Sequence, residues 1–110
     1  MNIKFTARHF RPRANLKQHA VETVRRLGRF YDGIVSATVI LSYERATNSV
    51  KTAEINLHVY GTILSAKEKS EDYAKSIDAA AEKLTLRLTR YKDKLRAKDK
   101  TKVRSIKEQV

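Results

Sequence analysis

The side chains able to do chemistry in this chain are mostly cations, and their spacing says which chemistry. From Tyr73 onward, apolar residues fall at Tyr73, Ile77, Ala80, Ala81, Leu84, Leu88, Tyr91 and Leu95, the spacing of one buried helical stripe. At about 100° per residue, Lys83, Arg87, Arg90 and Lys94 line up beside that stripe as a second, basic one. Lys92 and Arg96 flank the other side, and Asp78, Glu82 and Asp93 fall toward the back. A helix that needs only solubility interleaves its charges for i,i+4 pairing; this one separates them. Four cations in a row over ~16 Å of helix form a track for a polyanion.

Catalytic alternatives are poorly supplied. His9, His19 and His58 fall on a loop edge, a helix flank and an outer sheet face, without metal-ligand spacing or a nearby nucleophile motif. Arg8-His9 is the exception of interest, because the end of a first strand is a place from which to reach the same polyanion. Asp78 and Glu82 are spaced i,i+4 on a helix, an arrangement far commoner on a solvated face than in an acid–base pair. Tyr31 and Tyr91 read as core residues rather than base-stacking platforms. There is no Gly-rich phosphate loop and no cysteine, so thiolate metal sites and disulfides are excluded. The expectation is a binding protein, not an enzyme, with no cofactor, no metal and no small-molecule substrate.

Charge points the same way. The formal net charge is +12 and the pI about 10.2. Eleven Lys or Arg against three acids between Lys83 and Val110 place a net +8 in the C-terminal quarter. Nucleic acid is the partner such a field suits best. An anionic membrane surface ranks behind it, and solubility alone needs a net charge of only ~2–8. At 110 residues one domain is expected. No run of 18 apolar residues occurs and MNIKFTARHF lacks a signal-peptide core, so the expected location is the cytoplasm and no membrane partner is expected. The expected boundaries are a folded domain over 1–98 and a basic tail over 99–110, too polar to bury a face and expected to fray or be disordered.

Hydrophobic periodicity supplies the elements that hold these residues. Ile3, Phe5 and Ala7 alternate as a short strand. Arg11-Pro12-Arg13 suits a helix start, and Leu16, Ala20, Thr23, Val24 and Leu27 mark the inner face of a helix ending near Gly28. Val35, Ala37, Val39, Leu41 and Tyr43 alternate; a polar turn is expected around Asn48-Ser49; Ala53, Ile55, Leu57 and Val59 alternate again. Gly61-Thr62 signals a tight turn, and Leu64 and Ala66 begin a fourth strand. The fold class is therefore α+β in the order β-α-β-β-β-α. A right-handed crossover makes the first two strands parallel neighbours, giving a four-stranded mixed sheet with both helices on one face. The other face, with Thr38, Ser42, Asn56 and His58, should meet solvent. Without its first strand, this order is that of double-stranded RNA-binding domains, an analogy of fold only.

Longer stretches carry a more specific resemblance. MNIKFTARHF, LKQHAVETVRRLGRFYDGIVSATVILSYER, AEINLHVYG and EDYAKSIDAAAEKLTLRLTRYKDKL resemble the ribosome hibernation promoting factor family, which includes the ribosome-associated inhibitor and was formerly labelled a sigma-54 modulation protein. The likeness runs from the start to about Leu95. It is most specific at Phe30-Tyr31-Asp32 and across Asp72, Ile77-Asp78, Lys83-Leu84, Arg87 and Tyr91-Lys92-Asp93-Lys94-Leu95. Tyr91 replaces the histidine commoner in the family. Glu68 is a larger departure: alternation after Leu64 and Ala66 points it inward, where many relatives carry a small residue, leaving a strand-end position or an ion pair as its options.

The resemblance implies a protein that occupies the messenger and transfer RNA channel of the small ribosomal subunit, blocks initiation and preserves idle ribosomes. It implies that Lys83, Arg87, Arg90 and Lys94 are the chief phosphate contacts, supported by Lys92. Arg25, Arg26 and Arg29 on the first helix would form a second patch. The partner is then small-subunit ribosomal RNA within the ribosome, with the protein a monomer when free. Long members add a C-terminal dimerisation domain; a chain ending at Val110 resembles the short type. Two other readings stand beside this one: a general structured-RNA-binding module, and an interaction protein acting on transcription, as the sigma-54 label suggests.

Overall fold

A computed structural model describes the backbone of residues 1–44 and 47–108 and the side chains of residues 1–44 and 50–97. The element order is β1 (Asn2–Ala7), α1 (Ala14–Phe30), β2 (Ser36–Glu44), β3 (Thr47–Val59), β4 (Thr62–Ser70) and α2 (Tyr73–Glu108). The sheet order is β1-β2-β3-β4, with β1 parallel to β2 and the remaining pairs antiparallel. This is the expected α+β architecture.

Alternation is what closes the core. Ala37, Val39 and Leu41 of β2 lie beside Leu57, Ile55 and Ala53 of β3, and all six are buried. Against that face pack Ala20, Val24 and Leu27 of α1 and Ile77, Ala80, Leu84 and Leu88 of α2, so both helices cover the same side. α2 lies on β3 and β4, and α1 lies beside it on the β1 side. The opposite face presents rows such as Lys4, Thr38, Asn56 and Ser65, the polar half of the same period-two pattern.

Local signals misplace several boundaries. α1 begins at Ala14, with Arg13 in extended conformation as its N-cap, so Pro12 precedes the helix rather than opening it. The helix also passes through Gly28 to Phe30, where the Tyr31 amide donates to the Leu27 carbonyl at 3.2 Å. A Cβ at Gly28 would lie 2.8 Å from the Met1 Cε, so this glycine marks a close approach by the N-terminus and not a helix stop. The turn expected at Asn48-Ser49 falls within β3, which starts at Thr47 opposite Glu44 after a register shift between Tyr43 and Glu44. Asn48 and Ser49 fall in the irregular stretch between the Glu44–Thr47 and Tyr43–Lys51 pairs. β4, expected from Leu64 and Ala66, runs on through Glu68 to Ser70, which pairs with Lys51.

The start of α2 is capped from several directions. The Asp72 carboxylate accepts from the Ala74 amide at 2.9 Å, an N-cap bond. Ser76, wholly buried, donates to the Lys51 carbonyl at 2.8 Å and meets the Ser70 hydroxyl at 2.7 Å. One turn outside, the Lys75 ammonium bonded to Glu71 holds that carboxyl below its ordinary range. The helical span then runs past residue 98, where the folded domain was expected to end; the side chains of that segment lie outside the described residues.

Candidate nucleic-acid interface

Leu84 and Leu88, fully buried, fix the rotation of α2 and so decide where its cations go. Lys83 falls on the flank above β4, where it forms an ion pair with Glu68. Arg87, Arg90 and Lys94 continue along that flank at helical spacing and are exposed. Among the described residues, no carboxylate pairs with any of these three. The basic stripe thus has one neutralised end and three free cations. The Glu68 departure resolves as an ion pair: its side chain is 22 % exposed and its charge is met by Lys83.

Lys92 lies elsewhere. It sits on the opposite flank, facing α1, where its ammonium donates to the Phe30 carbonyl at 3.2 Å and lies 5.0 Å from the centre of the Phe30 ring. A cation at the last carbonyl of α1 answers an unpaired acceptor and the negative end of the helix dipole. Its role in the fold is to tie the two helices together. Asp78 is on this flank too and not at the solvent-facing back of α2: its carboxylate is 2.8 Å from His19 Nε2 on α1.

The arginines expected to form one second patch divide in two. Arg26 lines the groove between the helices with His19, Asp78 and Glu82. Arg25 and Arg29 turn to the outer side of α1, around a hollow shared with Met1, Tyr31 and Asp32. Arg8 and His9 lie at the far end of the sheet, beyond the end of β1. His9 holds a left-handed backbone with φ 66°, uncommon for a side-chain-bearing residue, and its carbonyl accepts from the Tyr43 hydroxyl at 3.3 Å. Nearby, Phe10 stacks on Tyr73 with ring centres 4.9 Å apart. Burial raises the Tyr73 phenol above its ordinary value.

Tyr31 and Tyr91 are core-edge residues, as their periodicity indicates. Their rings meet edge-on at 5.6 Å, and the Tyr91 hydroxyl donates to the Tyr60 carbonyl at 2.7 Å. Desolvation, with Tyr31 beside it, raises the Tyr91 phenol and keeps that donor protonated. Sequence reasoning passed over Tyr60, whose side chain lies outside the apolar alternation and is 86 % exposed. Among the described residues, no group of three His, Cys, Asp or Glu side chains is placed to hold a metal ion. No described helix is long and apolar enough to cross a membrane.

Fold and site together define a small α+β domain with a cationic helix flank. The chain belongs to the family described as sigma 54 modulation protein / S30EA ribosomal protein, whose pattern matches residues 3–96. Among curated relatives, the ribosome hibernation promoting factor of Escherichia coli (strain K12) is 28% identical over 96 residues, which is 87% of this chain and 98% of that one. The protein of the same name from Azotobacter vinelandii is 34% identical over 79 residues, covering 72% and 71% of the two chains. Among solved structures, the Thermus thermophilus Protein Y N-terminal domain superposes with a TM-score of 0.72 at 27% identity, over 83% of this chain and 99% of that one. A ribosomal subunit interface protein from Coxiella burnetii shares the fold with a TM-score of 0.76 at 22% identity, over 84% and 99%.

Proposed function

We propose that this protein is a ribosome hibernation factor: it binds ribosomal RNA in the messenger and transfer RNA channel of the small subunit, inhibits translation and preserves idle ribosomes. The observation that carries the reading is the unpaired row Arg87, Arg90 and Lys94, held on a rigid helix in a member of this family. Phosphate contacts of that kind give affinity with little sequence information, which suits a plug for one fixed RNA groove. Arg25 and Arg29 extend the positive surface around α1, with Arg8 and His9 as an outlying contact. Binding, not catalysis, is the activity. The protein works in the cytoplasm as a monomer until it meets the ribosome, and the segment 99–110, with a net charge of +2, adds affinity along RNA.

Co-sedimentation with small subunits at two salt concentrations tests the reading. Engagement of ~6–10 phosphates weakens binding by ~10³–10⁵ between 50 and 200 mM salt, a scaling from duplex DNA that carries over approximately. Competition by initiator transfer RNA and messenger, with relief of inhibition when both are raised, tests the channel itself. Equal affinity for any A-form duplex would instead indicate a general RNA-binding module.

A further inference from the structure

The exposed large apolar side chains of the sheet gather at one end. Met1, Val35, Tyr60 and Ile63 stand at the start of β1, the start of β2, the end of β3 and the start of β4. Register makes these neighbours: Asn2 pairs with Ser36, Ser36 with His58, and His58 with Ile63. A single exposed apolar residue needs no explanation. Tyr60 differs in how it is held. It and Gly61 are the two linking residues of the hairpin closed by Val59 and Thr62, and Gly61 takes the left-handed φ of 83° that the turn demands. The Tyr60 carbonyl is anchored by the Tyr91 hydroxyl at 2.7 Å, and Tyr91 is braced on Tyr31. An exposed tyrosine thus stands on a backbone tied to the core.

Its surroundings define the ligand. Tyr91 falls between Arg87 and Lys94, about one helical turn from each, so its bond to Tyr60 sets the β3–β4 turn alongside the cationic row. No acid occurs between Val59 and Ala66 to oppose a phosphate. An exposed aromatic ring beside tracked phosphates is the arrangement that takes unpaired bases, because every base has a π-face. We propose that Tyr60 stacks on an unpaired base of the RNA whose phosphates Arg87, Arg90 and Lys94 contact. This rests on the ribosomal reading above and adds to it a base contact outside the helix flank.

The test measures binding of the full chain and its Tyr60→Ala, Tyr60→Phe and Tyr60→Leu variants to small ribosomal subunits, with base-specific chemical probing of the RNA. Tyr60→Ala weakens binding about 5- to 150-fold, the equivalent of ~1–3 kcal/mol per stacked base, with an unchanged salt slope because no charge is removed. Tyr60→Phe binds within about twofold of the parent, and one unpaired base protected by the parent and by Tyr60→Phe becomes reactive with Tyr60→Ala. The thermal transition is unchanged in all three, since the ring contributes almost nothing to the core. Parent-like binding by Tyr60→Ala overturns the proposal alone. So does Tyr60→Leu matching Tyr60→Phe with no change in base reactivity, which marks an apolar contact with a ribosomal protein. A parent chain that does not pellet with subunits overturns the ribosomal reading and this proposal together.

Discussion

The two flanks of α2 carry the same residue types in different surroundings. On the side facing α1, two of the polar side chains bond to α1: Asp78 meets His19 and Lys92 holds the Phe30 carbonyl. On the side above β4, Lys83 is paired with Glu68, and among the described residues no carboxylate pairs with Arg87, Arg90 or Lys94. Two lysines only two residues apart, Lys92 and Lys94, can therefore differ in whether a neighbouring element takes up the ammonium. Charge counts do not separate the two roles; tertiary neighbours do.

The largest expected effect comes from reversing the open flank. Arg87→Glu, Arg90→Glu and Lys94→Glu together should weaken small-subunit binding by at least about 100-fold at 50 mM salt and lower the salt slope by roughly 2–3. The melting transition should stay cooperative, because these side chains lie beside the core stripe. Lys83 is left out by design, since a glutamate there would face Glu68 and mix a folding defect into the binding result. Parent-like affinity in the triple variant would remove the proposed site.

The opposite flank should respond in the opposite sense. Lys92→Met keeps the apolar stem but removes the bond to Phe30 and the cation over its ring, and should cost about 1–2 kcal/mol of stability. Its affinity for subunits, measured well below the melting temperature, should stay within about threefold of the parent. A large loss of affinity with unchanged stability would make Lys92 the supporting RNA contact that the family resemblance implies and dissolve the contrast between flanks.

Deleting residues 99–110 removes four cations and two acids, and sedimentation assays should show a loss of ~10-fold or less with a shallower salt dependence. Unfolding on truncation would place the domain boundary beyond residue 98. The smallest effect expected sharpens the paired end of the stripe. Glu68→Gln frees the Lys83 ammonium and should tighten subunit binding about threefold at low salt, as one further cation joins the row. No change in affinity would mean that the RNA passes the stripe without reaching Lys83.

Much of this molecule is legible without coordinates, because periodicity is a local property with a global consequence. Alternation at Ala37, Val39 and Leu41 and at Ala53, Ile55 and Leu57 specifies strands with one buried face, and the Ile77–Leu84–Leu88 spacing specifies the rotation of α2. Segregation of Lys83, Arg87, Arg90 and Lys94 onto one flank follows from that rotation alone. Boundaries were less legible, for the reason Gly28 illustrates: a glycine marks a helix end in isolation, but here the Met1 side chain lies over it and the helix continues.

The sequence by itself determined the fold class, the core stripe and the existence of a cationic flank, all of which depend only on residue spacing along one element. Tertiary structure decided which cations are free. Nothing local tells Lys83 that Glu68 of β4 lies beside it, or Lys92 that α1 ends with an open carbonyl under its ammonium. Nor does Tyr60 announce itself, since its position depends on a turn pinned by a hydroxyl 31 residues away. Charge and aromatic roles are set by long-range neighbours, because screened or bonded partners, not residue identity, determine what a side chain has left to offer a ligand.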